Sequence, residues 1–412
     1  MGGPTRRDVF RMAATLALSA GCGASAASDG QGSAIFEPCH DSFIVAVWSR
    51  TARAATIEIA GAPTIRMRII DEHGHAVVSG LAPATAYDVV ITPDRGAPTR
   101  HAVRTAPDPR DPRPVRIAVS ADLDPQPAFE SDLFDQIVAA DPDVFVTLGD
   151  LPYTDDGPVA TTVAAYRQRH GLLRAAPYLR PWLESMALCA IYDDHEFAND
   201  WDAAKAAAQP DRLAAALQVW DEFFPLAAAP SGDVRYRNFR YGGNAECFVL
   251  DCRRFRSANA APDTAGKTML GATQKAWLLA ALAASTAPFK LIFTTVPLDF
   301  GLGVDHWAGF TTERDEIFAA IRGLPGVVFV SGDQHYFAAY EHAYGIREFQ
   351  VGPLRRGIGA TGPDAPGVRF RHFDYNFGVL DVTPDALTVR GIGPGGVELY
   401  REALSAAELT PG

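Results

Sequence analysis

From residue 115 onward, short apolar segments alternate with segments of helical pattern. Six apolar segments have the length of a buried strand, and they comprise residues 115–120, 143–148, 188–192, 247–251, 291–295 and 327–331. A continuous apolar run leaves no face of a strand for solvent, so such strands belong in a sheet that is covered on both sides. The alternation with helices therefore predicts an α/β domain, which we place at residues 115–404.

The region before this domain has a different pattern. Between residues 43 and 103, short alternating apolar segments are separated by Gly, Pro and Asp residues, as in strands joined by tight turns. We predict a small β-sandwich over residues 34–106. Residues 107–114 contain four prolines and predict a stiff linker. A chain of 412 residues has room for both domains.

The first 26 residues resemble a twin-arginine export signal. Arg6 and Arg7 precede a mild apolar run that is too short to span a bilayer. Processing has two open routes, which are cleavage after Ala26 and lipidation of Cys22. We therefore predict a periplasmic or secreted protein without a transmembrane anchor, with a lipid anchor at Cys22 as the alternative.

The net charge is −12, which repels nucleic acid and anionic membrane surfaces. Nucleic acid is therefore excluded as an expected partner. The hydrophobic residues make up 48% of the chain and the charged residues 21%, which is typical of a globular protein.

Four of the predicted strands end in loops that carry carboxylates or histidine. These residues are Asp122 and Asp124, then Asp150 with Tyr153, then Asp193, Asp194, His195 and Glu196, and finally Asp333 with His335. In α/β folds the loops at the carboxyl ends of the strands form the ligand site. So many acidic groups would repel one another strongly unless cations neutralised them. The loops therefore predict a metal centre.

The donor types indicate which ions such a centre would prefer. Oxygen ligands with one histidine and one tyrosine favour hard ions, with iron, calcium and manganese first. Asp150 is the natural bridge between two ions, because a carboxylate can give one oxygen to each.

Several of these segments resemble the signatures of PhoD-like alkaline phosphatases, a family within the calcineurin-like metallophosphoesterases. The similar segments are Gly149-Asp150-x-x-Tyr153, Asp193-Asp194-His195-Glu196, Gly332-Asp333-x-His335, Val47-Trp48-Ser49-Arg50 and residues 250–256 and 270–278. Residues 80–87 are similar to a turn and strand of fibronectin type III-like domains. The resemblance implies an α/β (α+β) sandwich of two mixed sheets flanked by helices, preceded by a small all-β fibronectin type III-like domain.

The resemblance also implies roles for individual residues. Asp150 would bridge two ions, Tyr153 and His335 would bind an iron-type ion, and Asp194 and Asp333 would bind the second ion. Asn199 is a further candidate ligand of the second ion.

One position departs from the family pattern. Ala121 stands where the family usually has a cysteine, and Asp122 is the expected substitute ligand. An oxygen in place of sulfur makes the first site harder. Iron and calcium are the ions that the family implies, and manganese or zinc stay open.

These assignments imply a metal-dependent hydrolase of phosphate esters, in which a metal-bridged hydroxide attacks phosphorus. His195 is expected to protonate the leaving alkoxide, with Glu196 or Asp193 orienting its ring. Arg253 and Arg256 are expected to bind the phosphate, because guanidinium groups bind phosphate oxygens bidentately.

Arg355 and Arg356 are expected at the solvated surface. The expected partner of the chain is a small phosphate ester, and nothing in the sequence points to an oligomeric state. Two other functions stay open. One is a phospholipase D-like phosphodiesterase, and the other is a degenerate metal- or phosphate-binding protein, which Ala121 alone supports.

Overall fold

The structure is a computed structural model that describes residues 31–124, 131–226, 234–359, 361–362 and 364–412. The expected export signal of residues 1–26 and the lipidation candidate Cys22 lie outside the described residues. Within those ranges, no helix has both the length and the apolar character needed to cross a membrane.

The secondary structure of the described residues consists of strands, α-helices and three short 3₁₀ turns. The strands are β1 (Gly32–Phe36), β2 (Ser42–Trp48), β3 (Ala54–Ile59), β4 (Ile65–Arg68), β5 (His73–Ser79), β6 (Ala86–Pro93), β7 (Thr99–Arg104), β8 (Val115–Ser120), β9 (Val144–Thr147), β10 (Ala187–Ala190), β11 (Arg237–Tyr241), β12 (Ala245–Val249), β13 (Phe289–Phe293), β14 (Val327–Ser331), β15 (Phe337–Glu341), β16 (Arg347–Gln350), β17 (Val368–His372), β18 (Phe377–Val382), β19 (Leu387–Ile392) and β20 (Glu398–Leu404). The α-helices are α1 (Leu133–Ala140), α2 (Val163–Arg174), α3 (Leu179–Ser185), α4 (Ala203–Ala208), α5 (Pro210–Phe223), α6 (Gly271–Ala284) and α7 (Thr311–Ala320). The 3₁₀ turns are Trp307–Gly309, Ala343–Gly345 and Pro394–Gly396.

Two large mixed sheets pack face to face. The first has the strand order β20-β19-β18-β8-β9-β10-β1-β2-β5, and the second has the order β11-β12-β13-β14-β16-β15-β17. Successive side chains of a strand point to opposite faces, so Ile117 and Val119 pack between the sheets and Ala118 packs on the helix side. Helices α1, α2, α3 and α5 cover the first sheet, and α6 and α7 cover the second. The predicted sandwich of mixed sheets flanked by helices is confirmed.

The six strands predicted from apolar runs are all present. Two of them, β8 and β14, have the predicted bounds, and the other four lie within two residues of them. The strands β8, β9 and β10 are parallel neighbours, so their carboxyl ends meet at one edge of the first sheet. Helix α5 buries Trp220 and Phe223 in the core under the same sheet.

The N-terminal strands form two layers, of which one belongs to the large sheet. Strands β3, β4, β6 and β7 form a separate four-stranded sheet, whereas β1, β2 and β5 continue the nine-stranded sheet. The continuity depends on β1 and β10, which pair in parallel with Ile35 opposite Ala187 and Phe36 opposite Leu188. The separate small domain expected over residues 34–106 is therefore not confirmed, because one sheet runs from it into the larger domain. Its boundaries and its fibronectin type III-like character stay predictions.

The proline-rich segment 107–114 lies against the turn between β11 and β12. The backbone N–H of Gly243 donates to the carbonyl of Asp111 at 2.7 Å, and the Asn244 side chain donates to the carbonyl of Pro112 at 2.9 Å. These bonds hold the segment against the larger domain.

His101 of β7 connects the four-stranded sheet to the rest of the fold. Its Nδ1 lies 3.1 Å from the carbonyl of Leu183 in α3, and its Nε2 lies 2.7 Å from the hydroxyl of Ser33 in β1. Burial lowers the pKa of His101 to about 4, although the hydrogen bond to Leu183 acts in the opposite direction. The imidazole is therefore neutral in the folded protein at pH 5 to 7.

We predict that His101 makes the protein less stable in mild acid. As the pH falls below about 6.5, the unfolded chain takes up a proton at this residue and the folded chain does not, until the pH approaches 4. The contribution of His101 to the free energy of unfolding should thus fall by about 2 kcal/mol between pH 7 and pH 5. Urea unfolding of the wild type and of a His101→Gln variant at both pH values measures it. An equal fall in both proteins would contradict the prediction.

Candidate metal centre

The four acidic loops predicted to form a site do come together. The loops after β8, β9 and β10 are joined by backbone hydrogen bonds, such as the one from Leu123 N to the carbonyl of Asp150 at 2.9 Å. The backbone N–H of His195 donates to the Asp150 carboxylate at 3.2 Å. The loop after β14 reaches them from the second sheet, where His335 Nε2 lies 2.9 Å from the Tyr153 hydroxyl.

The backbone is unusual at four of the predicted ligand positions. Asp122, Asp150, Asp333 and His335 have φ angles of 62°, 57°, 76° and 61°. Residues other than glycine rarely adopt such left-handed conformations, and aspartate and histidine are among those that tolerate them best. Local strain of this kind is often found at functional sites.

Two glycines make room for this arrangement. A Cβ atom at Gly149, where φ is +102°, would lie 2.4 Å from the backbone nitrogen of Asp193. A Cβ atom at Gly352 would lie 2.4 Å from Oδ2 of Asp122. The approach of the loops to one another therefore requires glycine at both positions.

The candidate donor atoms fall into adjoining groups. One ligand atom each from Asp122, Asp150 and His335 lie within 4.8 Å of one another. The same holds for Asp193, Asp194 and Asp333, and Asp150, Asp194 and His195 form a third group that connects the other two. Adjoining groups of this kind are compatible with two or more ions that share a carboxylate.

The electrostatics of the cluster fit cations. Burial, followed by the charges of neighbouring carboxylates, raises the pKa of Asp122, Asp150 and Asp333 well above the ordinary value. Among the residues that the structure describes, both oxygens of Asp122 and Oδ1 of Asp194 are buried without a hydrogen-bond donor. Buried polar atoms ordinarily have partners, and metal ions would satisfy these oxygens.

The pKa shifts of His335 and Asp194 favour a neutral imidazole and an ionised carboxylate, which are the forms that bind metal ions. Burial lowers the pKa of His335 to about 4, so its imidazole is neutral near pH 7, which is the form that binds a metal. Burial acts to raise the pKa of Asp194, but the charges of Arg253 and His195 outweigh it and lower that pKa.

His195 has a partner that the sequence did not reveal. Its Nδ1 donates to Oδ1 of Asp155 at 2.7 Å, whereas Glu196 accepts the backbone N–H groups of Leu151 and Asp193. The expectation that Glu196 or Asp193 orients the ring was therefore wrong. Burial opposes the charged imidazole, but Asp194 and Asp155 outweigh it and raise the pKa of His195 to about 9. In the metal-free chain these two carboxylates favour the protonated ring.

Asn199 lies at the exposed side of the cluster. Its backbone N–H donates to the second oxygen of Asp155 at 2.5 Å, and the N–H of the next residue, Asp200, donates to Asp194 at 2.5 Å. The backbone of this segment thus contacts Asp155 and Asp194, and the role of Asn199 as a ligand of the second ion stays a prediction.

The buried positions of Arg253 and Arg256 do not agree with their expected contact with phosphate. Arg253 donates two hydrogen bonds of 2.7 Å to Asp193 and pairs with Asp305 at 2.6 Å. Arg256 pairs with the other oxygen of Asp305 at 2.6 Å, and both arginine side chains are 0% exposed. A substrate could reach these guanidinium groups only by breaking buried ion pairs. Arg253 instead orients Asp193 beside Asp194.

Arg355 and Arg356 were expected at the solvated surface, and this was wrong. Arg355 is buried and donates to the hydroxyl of Tyr178 at 2.5 Å. The side chain of Arg356 is 17% exposed and pairs with Asp124 at 2.6 Å.

Comparison with known proteins agrees with this geometry. The model of the family described as PhoD-like phosphatase matches residues 125–365, which is more than half of the chain. The chain belongs to the PhoD-like phosphatase family. This agrees with the resemblance of the strand-end segments.

Individual relatives support the same assignment. The chain is 28% identical over 234 residues to alkaline phosphatase D of Bacillus subtilis (strain 168), a match that covers 49% of this chain and 40% of that protein. The match thus spans only about two fifths of the relative. A solved structure of PhoD has the same fold, with a TM-score of 0.82 and 19% identity over 94% of this chain and 92% of that one. Purple acid phosphatase PPD1 from yellow lupin seeds follows with a TM-score of 0.68 and 13% identity, over 92% and 75% of the two chains.

The position that departs from the PhoD-like phosphatase pattern lies next to the cluster. Ala121 is 1% exposed and packs in the apolar core between the two sheets. The carboxylate nearest His335 comes from the next residue, Asp122, whose Oδ1 lies 3.6 Å from His335 Nε2. The position of Asp122 is therefore compatible with a substitute ligand.

Proposed function

We propose that this chain is an exported, metal-dependent hydrolase of phosphate esters. The observation that carries the proposal is the group of buried carboxylate oxygens on Asp122 and Asp194 that have no donor among the described residues, beside a His195 whose Nδ1 donates to Asp155. Buried acceptors of this kind need cations, and a protonated histidine at their edge can act as a general acid. The membership of the PhoD-like phosphatase family supports this function.

We assign the donors to two or more ions. Asp122, Tyr153 and His335 would hold the first ion, and Asp150 would bridge to the second. Asp194, Asp333 and Asn199 would hold the second. The family implies iron and calcium, and manganese or zinc stay open because oxygen replaces sulfur in the first site.

Bound ions of this kind polarise a phosphoryl oxygen and make water a nucleophile near neutral pH. The residues of the chain would donate a proton and hold the ligands in position. His195 donates its Nε2 proton to the leaving oxygen, because its Nδ1 is already engaged by Asp155. Arg253 keeps Asp193 in place through its two hydrogen bonds.

The route of export is part of the proposal. The arginine pair at residues 6 and 7 supports twin-arginine export to the periplasm or the medium, either as a cleaved protein or with a lipid anchor at Cys22.

The proposal predicts hydrolysis of p-nitrophenyl phosphate or bis-p-nitrophenyl phosphate that is lost on chelation and restored by added metal. Removal of the ions should reduce the rate to the background of the assay, because the ions would supply the positive charge that polarises the phosphoryl oxygen and activates water. Release of p-nitrophenol before and after dialysis against a chelator measures it, with elemental analysis of protein purified without added metal.

The outcomes separate the alternative functions. A marked preference for the bis ester over the mono ester would favour a phospholipase D-like phosphodiesterase. Metal-loaded protein that hydrolyses neither ester would favour a binding protein that has lost catalysis.

A further inference from the structure

The segment 352–359, which we call the strap, follows β16 and contacts three loops of the candidate metal centre. Its first contacts are with the loop after β8. The backbone N–H of Leu354 donates to the carbonyl of Ala121 at 2.9 Å, and that of Arg355 donates to the carbonyl of Asp122 at 3.1 Å. The strap therefore binds the carbonyl groups that precede and follow the Cα atom of the candidate ligand Asp122, and so fixes its backbone.

The strap also holds His335. The carbonyl of Gly357 accepts the Nδ1 proton of His335 at 2.5 Å, and the backbone N–H of Gly359 donates to the His335 carbonyl at 2.8 Å. Because Nδ1 carries the proton, Nε2 is left as the atom that faces the Tyr153 hydroxyl.

The third contact is made by the side chain of Arg356. Its guanidinium carbon lies 4.0 Å from the centroid of the Tyr153 ring. The imidazole of His195 lies 4.1 Å from the same centroid, tilted by 35°. At these distances the guanidinium of Arg356 and the imidazole of His195 would overlap if both lay on the same face of the Tyr153 ring. They therefore lie on opposite faces, with the ring between them.

Two carboxylates fix the guanidinium above the ring. Nη1 of Arg356 donates to Asp124 at 2.6 Å, and Nη2 lies 2.7 Å from Asp156. These partners come from the loops after β8 and β9, which also carry Asp122 and Tyr153. Arg356 thus ties the strap to both loops and covers one face of a candidate ligand.

We propose that Arg356 is a positioning residue of the first metal site, which acts by holding the Tyr153 ring in the orientation that presents its oxygen next to His335 Nε2. The inference rests on the proposed function, since it gives a role to Tyr153 as a ligand. A stacked planar guanidinium with two carboxylate partners can hold an aromatic ring more firmly than a flexible ammonium can.

The test uses metal binding rather than turnover. Mn²⁺ affinity is measured by titration calorimetry, and ferric protein is examined for the visible absorption of a tyrosine oxygen bound to iron. Arg356→Gln should weaken Mn²⁺ binding at one site by about tenfold, as is typical when a residue that orients a ligand is removed, and should weaken or shift the visible band. Arg356→Lys should restore the affinity in part.

A matched control is Arg369→Gln, which removes an exposed arginine of β17 that pairs with Glu341. It should bind Mn²⁺ as the wild type does. Asp156→Asn weakens one of the two carboxylate contacts that fix the guanidinium above the Tyr153 ring, at a site that is 41% exposed. It should weaken Mn²⁺ binding by about twofold to threefold, which is the size of effect expected from the loss of one partly exposed ion pair. This variant keeps the test valid if Arg356→Gln does not fold.

Three outcomes would overturn the inference. The first is unchanged Mn²⁺ affinity and an unchanged ferric band in Arg356→Gln. The second is a higher KM for phosphate esters with metal binding intact, which would make Arg356 a substrate-binding group. The third, if Arg356→Gln does not fold, is unchanged Mn²⁺ binding in Asp156→Asn. Failure of the proposed function gives a different result, because the wild type itself would then either bind no ion or bind Mn²⁺ and hydrolyse neither ester.

Discussion

An Asp150→Asn variant is expected to lose hydrolysis of phosphate esters by about 10³-fold or more. Asp150 belongs both to the group with Asp122 and His335 and to the group with Asp194 and His195, so an amide there removes a charge that would hold both ions. Removing a residue that only orients a ligand costs roughly 10- to 100-fold, and removing the bridging ligand should cost more. Elemental analysis and the rate of p-nitrophenol release measure the two effects.

The same variant should be more stable than the wild type when both are free of metal. Burial and the charge of Asp194 raise the pKa of Asp150, which means that the ionised carboxylate is unfavourable in the folded protein at pH 7. An asparagine removes this cost, and we expect the free energy of unfolding to rise by about 1–3 kcal/mol. Urea unfolding in the presence of a chelator measures it.

The exposed residue Asp88 of β6 supplies the control, since Asp88→Asn should change neither property. Normal metal content and activity in Asp150→Asn would disprove the bridging role. A metal-free variant less stable than the wild type would show that Asp150 has a structural role instead.

A His195→Ala variant should lose about 10² to 10⁴ in rate with alkyl phosphates and much less with p-nitrophenyl phosphate. The proton that His195 donates matters most when the leaving alcohol is a poor leaving group, and p-nitrophenolate can leave without it. Asp155, which accepts the Nδ1 proton of His195 at 2.7 Å, favours the protonated ring and leaves Nε2 to donate. Rates with both ester types, with exposed His40→Ala as the control, test this.

Asp155 provides a second test of the same role. An Asp155→Asn variant should be about tenfold slower with alkyl phosphates, because it leaves His195 in place but removes the acceptor of its Nδ1 proton. Asp155 is expected to act through His195, so the double variant should be no slower than His195→Ala alone. Additive losses would mean that the two residues act independently. Equal losses of His195→Ala with alkyl and p-nitrophenyl esters would argue against proton donation.

Much of the fold and of the candidate site follows from local features of the sequence. Buried strands have largely apolar sequences, and β8 and β14 were predicted at their observed bounds for this reason. Carboxylates such as Asp150 and Asp333 were recognised because they directly follow those strands. The parallel pairing of β8, β9 and β10 then brings three of the loops together without further information.

Other features depend on contacts between distant residues and could not be predicted. In the sequence Asp155 looks like any loop aspartate. Only the fold brings it next to His195, which lies 40 residues further along the chain. The ion pairs that bury Arg253 depend on Asp305, which is contributed by another loop. The pairing of β1 with β10 joins residues about 150 positions apart, and no local pattern marks it.

This last pairing matters for anyone who wishes to trim the chain. Removal of residues 31–106 would leave β10, a run of four buried apolar residues, as the outermost strand of its sheet. An uncovered apolar edge offers unpaired backbone groups to other molecules and promotes aggregation. The part of the chain that carries the candidate metal centre therefore depends on its N-terminal neighbour for solubility, and the two should be expressed, purified and evolved as a single unit.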